Sequence, residues 1–536
     1  MKSKSRISLV VAASLTVLGG AAAPALADNA SAAPVPTSGA EWFRAGRSAV
    51  EANKLVNREL NTRRAKNVIL FVGDGMGVST VTAARILDGQ QRGVDGEWNR
   101  LSFEKFSDLA LSVTASANQQ TSDSAPTATA MVAGIKTNDG AISVDQSILR
   151  KEFCAEVTRA KKVRTIMERA EERGMSTGVV STARITHATP AVNYAHISNR
   201  DWESNDQIDK DLGATVLPAG CTKVKDIAAQ LVDFKAGNGL EVALGGGRPY
   251  FLPTSLSDPE YSTRTGRRTD GRDLTAEWAA RPRAAYVWNK AQFDAVDPRR
   301  TKRLLGLFEP SHVKYEADRA DDTGGEPSVA DMTRKAIEML QTNPNGFYLM
   351  VEGGRIDHAH HAGNAYRALT DTIALAEAVK VAREMTDDED TLIIVTADHS
   401  HTFSIAGYPS RGNPILGKTD AGLGLLAKDS LGLPYTTLGY LNGPGGWTGK
   451  GSRREFDPLT EFVTAEIPFT GERPDLTDVD TTNPNYLQES AIPTVGAETH
   501  AGEEVAIYAN GPRSYLVRGT MEQNAIYHVM ANALGL

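Results

Sequence analysis

Short runs rich in valine, isoleucine and leucine recur along the chain with little polar interruption. The clearest are Asn67 to Val72, Ser176 to Ser181, Glu241 to Leu244, Gly346 to Val351, Thr391 to Thr396 and Glu504 to Ala509. Continuous apolar runs of this length suit strands buried on both faces, as in a parallel sheet. Between them the apolar positions fall at helical spacing, most clearly in Val163 to Arg173, Val329 to Leu340 and Tyr366 to Met385. The alternation predicts an α/β fold: a three-layer sandwich in which helices flank a large central, mostly parallel β-sheet. It stops between Gly407 and Val495, where Gly, Pro, Thr and Asp dominate and Asn442-Gly443-Pro444-Gly445-Gly446-Trp447 occurs. This stretch is predicted to be a large insertion with weak regular structure. Loops this long usually serve function or an interface.

In open α/β sheets, sites form at the carboxyl ends of strands, and here polar clusters follow strands directly. Asp74-Gly75-Met76-Gly77 comes after the first run, Glu352 and Asp357 after the fourth, and Asp398-His399 after the fifth. Asp357-His358-Ala359-His360-His361 opens a helix, so Asp357 and His361, four apart, share one side and can chelate one metal. With His500 in Glu498-Thr499-His500-Ala501-Gly502, these carboxylates and imidazoles form a zinc-type donor set. Each element has a plainer alternative: a turn with a solvated histidine, or a helix N-terminus capped by Asp357. Their joint position at strand ends argues for a metal site.

Asp123-Ser124-Ala125-Pro126 reads as a helix start with proline in the first turn. Asp123 or Ser124 could simply cap that helix. The chemical alternative is a serine nucleophile at a helix N-terminus, whose free N–H groups and dipole favour a transferring phosphoryl group. A zinc ion that lowers the hydroxyl pKa would remove the need for a neighbouring base.

Lys2, Lys4 and Arg6, the apolar run Ile7 to Leu18 and Ala25-Leu26-Ala27 predict a signal peptide over residues 1–27, too short to span a bilayer. Residues 28–536 are then expected to be one domain carrying the 407–495 insertion, exported to the periplasm or the medium. The end of the chain, Val529 to Leu536, is too short for the hydrophobic tail of a lipid anchor, so no membrane anchor is expected. The formal charge is −8, and −11 beyond the first 27 residues, which hold three cations and no acid. So acidic a protein has no electrostatic footprint for nucleic acid as a main partner. Cys154 and Cys221 are the only cysteines. In an oxidising compartment an even pair suggests one disulfide, the alternative being two buried thiols.

Together, Gly73-Asp74-Gly75-Met76-Gly77, Asp123-Ser124-Ala125, Val351-Glu352-Gly353-Gly354-Arg355-Ile356-Asp357-His358, Thr396-Ala397-Asp398-His399-Ser400-His401 and Glu498-Thr499-His500-Ala501-Gly502 resemble alkaline phosphatase. The resemblance runs from about Glu41 to Met530. It is closer to the animal-type branch, notably in Gly306-Leu307-Phe308-Glu309-Pro310 and Asn343-Pro344-Asn345-Gly346-Phe347. It implies hydrolysis of phosphomonoesters through a phosphoserine on Ser124. It also implies a first zinc on Asp357, His361 and His500, a second on Asp74, Asp398 and His399, and a magnesium on Asp74, Thr189 and Glu352. Arg200 matches the arginine that clamps two phosphate oxygens, a task for a bidentate guanidinium. His187 and His358 stand where enteric enzymes have aspartate and lysine, and imidazole at His187 would admit zinc to the third site more readily than magnesium.

The same resemblance implies a Cys154–Cys221 bridge around the Thr189–Arg200 segment. It further implies a homodimer, with an amphipathic arm helix over Trp42 to Leu55, Tyr408 reaching the partner's site, and the 407–495 insertion as a crown-like interface. A calcium site is implied on Glu260, the carbonyl of Phe308, Glu309 and Glu326, with Asp321 or Asp322 as alternatives to Glu326. The alternative is that these acids are solvated surface groups paired with the arginines of Arg264 to Arg272. Phosphodiesterases, sulfatases and cofactor-independent mutases of the same superfamily share the metal core but typically lack the Arg200 clamp with a Glu352–Thr189 site. A non-catalytic metal- or phosphate-binding protein of this fold would have no use for Ser124.

Overall fold

The computed structural model describes residues 60–445, 471–494 and 496–536, with isolated positions between 37 and 48 and at 456–457 and 462–463. The expected signal peptide and most of the Trp42 to Leu55 helix lie outside the described residues. Two compact units are distinguished, Met1–Ser48 and Ala49–Leu536. Of the first, only scattered helical positions are described; all that follows concerns the second.

Ten strands make the main sheet: β1 (Asn67–Gly73), β2 (Asp108–Val113), β3 (Ser176–Arg184), β4 (Val242–Gly246), β5 (Ala284–Val287), β6 (Arg303–Leu307), β7 (Phe347–Gly353), β8 (Thr391–Ala397), β9 (Val505–Asn510) and β10 (Gly519–Glu522). Their order is β10-β2-β9-β8-β1-β7-β3-β4-β6-β5. Only β9 runs antiparallel to its neighbours, so the sheet is mostly parallel, as expected. Successive residues of β1 serve two different cores. Val68, Leu70 and Val72 join one apolar cluster with Met131, Ile166 and Met530. Ile69 and Phe71 join another with Val81, Ala84 and Ile337. A strand that feeds a core on each face must be apolar at every position, which is why β1 reads as an unbroken run.

The flanking helices include α1 (Val78–Gln91), α2 (Ser124–Ala133), α3 (Val329–Leu340), α4 (Arg355–His361), α5 (Ala365–Met385) and α6 (Ala525–Leu534). Ser328 caps α3, with Asp331 reaching back to complete a capping box. The helix expected over Val163 to Arg173 runs instead from Ile166 to Glu172, because Thr165 and Glu168 form a capping box that fixes its start. Cys154 and Cys221 are joined in a disulfide, their Cα atoms 5.1 Å apart.

Among the described residues between Gly407 and Val495, regular structure is sparse. Leu438–Gly443 pairs antiparallel with Phe403–Ile405 and parallel with Ser490–Pro493. Tyr408, Leu423, Leu425 and Leu431 of this stretch stand exposed. Among the described residues, no helix is long and apolar enough to cross a membrane.

Candidate metal centre

The central strands end level with one another. Gly73 pairs with both Gly353 and Ala397, so Asp74, Gly354 and Asp398 leave the sheet side by side. Asp74 N donates to Gly353 O at 3.3 Å and Gly75 N to Asp398 Oδ1 at 3.0 Å. The glycines of the Asp74 turn are steric necessities. Gly75 has φ +68°, and a Cβ there would collide with the imidazole of His401; one at Gly77 would strike Ser400. Asp357 and His361 project from α4, which follows β7 directly. Thr189 lies in a short helix, Ala188–Ala191, that follows β3.

Ser124 is the first residue of α2, whose N-cap Asp123 accepts a hydrogen bond from Ala125 N. Its Oγ lies 3.2 Å from His399 Nε2 and 3.4 Å from Asp74 Oδ1. His399 Nε2 is also 3.3 Å from Asp398 Oδ2 and 3.4 Å from Asp74 Oδ1. On the other side of the cluster, Asp357 Oδ1 is 3.3 Å from Nε2 of both His361 and His500. Those two Nε2 atoms are 3.0 Å apart. Both rings are aimed by their other nitrogen: His361 Nδ1 faces Glu498 O at 2.7 Å, and His500 Nδ1 faces Ser122 O at 2.8 Å. An Nδ1–H bonded to a carbonyl leaves Nε2 as the free donor atom, the arrangement usual for metal-binding histidines.

Arg200 donates to Asp123 Oδ1 and meets His187 Nε2 at 2.9 Å. It lines a cleft of about 370 Å³ together with Ser124, His187, Asp357, His361 and His500.

A profile of the alkaline phosphatase family matches residues 65–536. The chain is 42% identical over 512 residues to the tissue-nonspecific alkaline phosphatase of Gallus gallus, covering 94% of this chain and 91% of that one. The chain belongs to the alkaline phosphatase family. It is also 42% identical over 480 residues to an alkaline phosphatase of Gadus morhua, with 88% and 92% covered. Among solved structures, Thermus thermophilus alkaline phosphatase superposes with a TM-score of 0.61 at 24% identity, covering 90% of this chain and 94% of the other. At that identity it speaks for the fold. The protein is a metal-dependent phosphomonoester hydrolase.

The electrostatics of the phosphatase suit bound cations. Burial, then the charges of Asp398, Asp357 and Glu352, raises Asp74 well above the carboxylate range. Burial and Asp398 push Glu352 up to about 7, against the pull of the Ser181 hydroxyl. Burial also raises Asp398. Asp357 is buried as well, yet His361, His401 and His500 hold it well below its usual value. Crowded buried carboxylates are stable when divalent ions neutralise them. Their free atoms fit that reading: Asp74 Oδ2, Asp398 Oδ2, Glu352 Oε1, Thr189 Oγ1 and His187 Nδ1 are buried with no hydrogen-bond partner. Asp74, His187 and Glu352 lie close enough together to share one ion.

Sequence reasoning assigned no role to His401 or Glu498, although both stand inside quoted motifs. His401 Nε2 is 2.9 Å from Asp357 Oδ1 and its Nδ1 is 2.6 Å from Glu498 Oε2. The signal was the His399-Ser400-His401 spacing, since side chains two apart in an extended segment share a face. His312, whose ring centroid lies 4.0 Å from that of His358, had no sequence signal at all.

A second acidic cluster surrounds Glu309 and Glu326, both buried. Burial pushes Glu309 up to about 9 and raises Glu326 well above its usual range. Glu309 Oε1, Glu326 Oε2 and both carboxylate oxygens of Asp322 lack hydrogen-bond partners. Glu260 and the carbonyl of Phe308 are engaged by Arg248, at 2.5 and 2.6 Å. The pairing of these acids with arginines between Arg264 and Arg272 is not what forms.

Proposed function

We propose that Ser124 is the nucleophile of this phosphatase and passes through a phosphoserine. The observation that carries the reading is the placement of its Oγ at a helix N-terminus, 3.2 Å from His399 Nε2 and facing the cleft that Arg200 lines. Ser124 Oγ gives up its proton as it bonds to phosphorus, the ester P–O bond breaks, and the leaving alcohol takes a proton up. Water then attacks the phosphoserine, frees inorganic phosphate and restores the hydroxyl. Arg200, pre-aimed by Asp123, grips two phosphate oxygens, and the free N–H groups of α2 face the same charge.

Asp357, His361 and His500 would hold one zinc, Asp74, Asp398 and His399 a second, and Asp74, Thr189 and Glu352 a magnesium, with His187 beside it. When bound, such ions neutralise the phosphate charge and stabilise the attacking and leaving oxygens. Glu309, Glu326 and Asp322, with Glu260 and the Phe308 carbonyl, form an all-oxygen set suited to calcium, provided that Arg248 yields the last two. The exposed Tyr408, Leu423, Leu425 and Leu431 fit a homodimer interface in the 407–495 insertion. Residues 1–27 direct export, leaving 28–536 as one domain.

Ser124→Ala tests the reading with p-nitrophenyl phosphate. The expected result is a fall in kcat of at least about 10³ with metal content unchanged. Near-parental turnover, or phosphate trapped on another residue, would overturn it. Elemental analysis gives the zinc, magnesium and calcium counts, and light scattering the mass in solution.

A further inference from the structure

Glu498 is fully buried, and every polar group it offers is committed to the metal centre or to the strand beside it. Oε2 accepts from His401 Nδ1 at 2.6 Å. Oε1 accepts from the backbone N and the hydroxyl of Thr402 at 2.7 and 2.6 Å. Its backbone N donates to His361 O at 2.8 Å, and its backbone O receives His361 Nδ1 at 2.7 Å. Two residues on, His500 pairs with His401 across a short antiparallel ladder. Between them, Thr499 N donates to Asn442 Oδ1 at 3.0 Å, and Asn442 Nδ2 donates to Thr499 Oγ1 at 2.9 Å. One segment thus aims the ring of His361, carries His500 and orients His401, whose Nε2 lies on Asp357 Oδ1.

We propose that Glu498 is the positioning residue of the zinc site: through His401 it fixes the orientation of the Asp357 carboxylate, whose Oδ1 faces both His361 and His500. The two ring nitrogens of His401 face two carboxylates, so the ring plane is set from both sides. Without Glu498 the ring is free to turn, and Asp357 loses the partner that fixes its orientation. The Thr402 bonds keep Oε1 occupied, so Oε2 is the only oxygen able to serve His401. Partners that orient metal ligands typically contribute 10–100-fold to metal affinity or activity. The inference rests on Asp357, His361 and His500 being ligands.

The test is zinc release from holoenzyme into a chromogenic chelator, measured for Glu498→Gln, His401→Gln and the double variant, with His500→Ala as control. Glutamine keeps an acceptor for Thr402 but turns an amide N–H toward His401. The expected result is zinc loss about 10–100 times faster in Glu498→Gln, no further acceleration in the double variant over His401→Gln, and an unchanged Tm for metal-depleted protein. Release within twofold of parent overturns the proposal. So does additive acceleration in the double variant, or an equal fall of Tm with and without metal, which marks a purely structural role. If the Gln variant does not accumulate, Glu498→Asp replaces it: a shorter carboxylate that cannot serve Thr402 and His401 together should release zinc at an intermediate rate, and a parental rate overturns the proposal. If His500→Ala keeps its zinc, the ligand assignment fails; if it loses zinc while Glu498→Gln does not, the assignment stands and the positioning role falls.

Discussion

The carboxylate of Asp123 holds two elements of the proposed active site at once: it caps the helix that begins at Ser124 and it binds the guanidinium of Arg200. Against the cost of burial, Arg200 keeps the Asp123 carboxylate below its usual range, so the pair is charged at working pH. Asp123→Ala should therefore loosen Arg200 more than it damages the fold. Loss of the cap costs about 1 kcal/mol, whereas a clamp that is no longer pre-aimed should weaken phosphate binding about 5–10-fold. The inhibition constant for inorganic phosphate is the readout, and an unchanged constant would show that Asp123 serves only the helix.

Metal removal should abolish turnover, because the buried carboxylates of Asp74, Glu352 and Asp398 crowd together and their charges raise one another's pKa. After dialysis against chelator, kcat is expected to drop to about a thousandth or less. Tm should also fall by several degrees, since ions that bind only the folded state stabilise it. Zinc with magnesium should restore both quantities, and calcium alone should not restore turnover. Activity that survives exhaustive chelation would contradict this reading.

Much of this site was legible because burial on both faces leaves an unmistakable sequence trace. The runs of β1, β7 and β8 were found to within two residues, and the acids after them followed. The strands Asp108–Val113 and Gly519–Glu522 were not: the second is the edge strand, and the first, paired between it and β9, is buried on one face only. Leu109 and Leu111 are exposed while Ala110 and Ser112 are buried, so the apolar pattern is broken. His401 and Glu498 escaped for another reason. Their effect depends on a two-residue ladder between segments about a hundred residues apart, so the His399-Ser400-His401 spacing hints at a shared face but not at the partner across it. Arg248 likewise competes for Glu260 and the Phe308 carbonyl only because the chain folds back on itself.

The Cys154–Cys221 bridge closes a separation of 67 residues that contains Thr189 and Arg200. Loop-closure entropy gives it about 4 kcal/mol. The catalytic geometry does not hang on it, because Arg200 N is held by Gly140 O at 2.8 Å and its guanidinium by Asp123. Replacing both cysteines by serine should lower Tm by about 4 °C and leave KM within twofold at 25 °C. A large rise in KM with little loss of Tm would reverse this division of labour.

At the strand ends opposite the cleft, Glu171 and Glu241 face each other at the amino ends of β3 and β4. Thr177 lies between them: its hydroxyl donates to Glu171 at 2.6 Å and its backbone N to Glu241 at 2.8 Å. Burial, then the charge of Glu241, pushes Glu171 up to about 8; burial raises Glu241 too, with Arg303 partly opposing. A carboxyl whose folded pKa lies above its unfolded value gives stability that is complete below about 4.5. That stability is lost as the pH climbs through about 8. Glu171→Gln keeps the acceptor for Thr177, offers Glu241 an N–H donor and removes the ionisation. Its stability relative to the parent should accordingly be near zero or slightly negative at pH 5 and improve by about 1–3 kcal/mol by pH 9. Phosphatase activity should be unchanged throughout, as neither side chain approaches the cleft. Thermal unfolding of both proteins across that range decides the matter: a difference in Tm that stays flat with pH means that the two carboxyls do not share a proton.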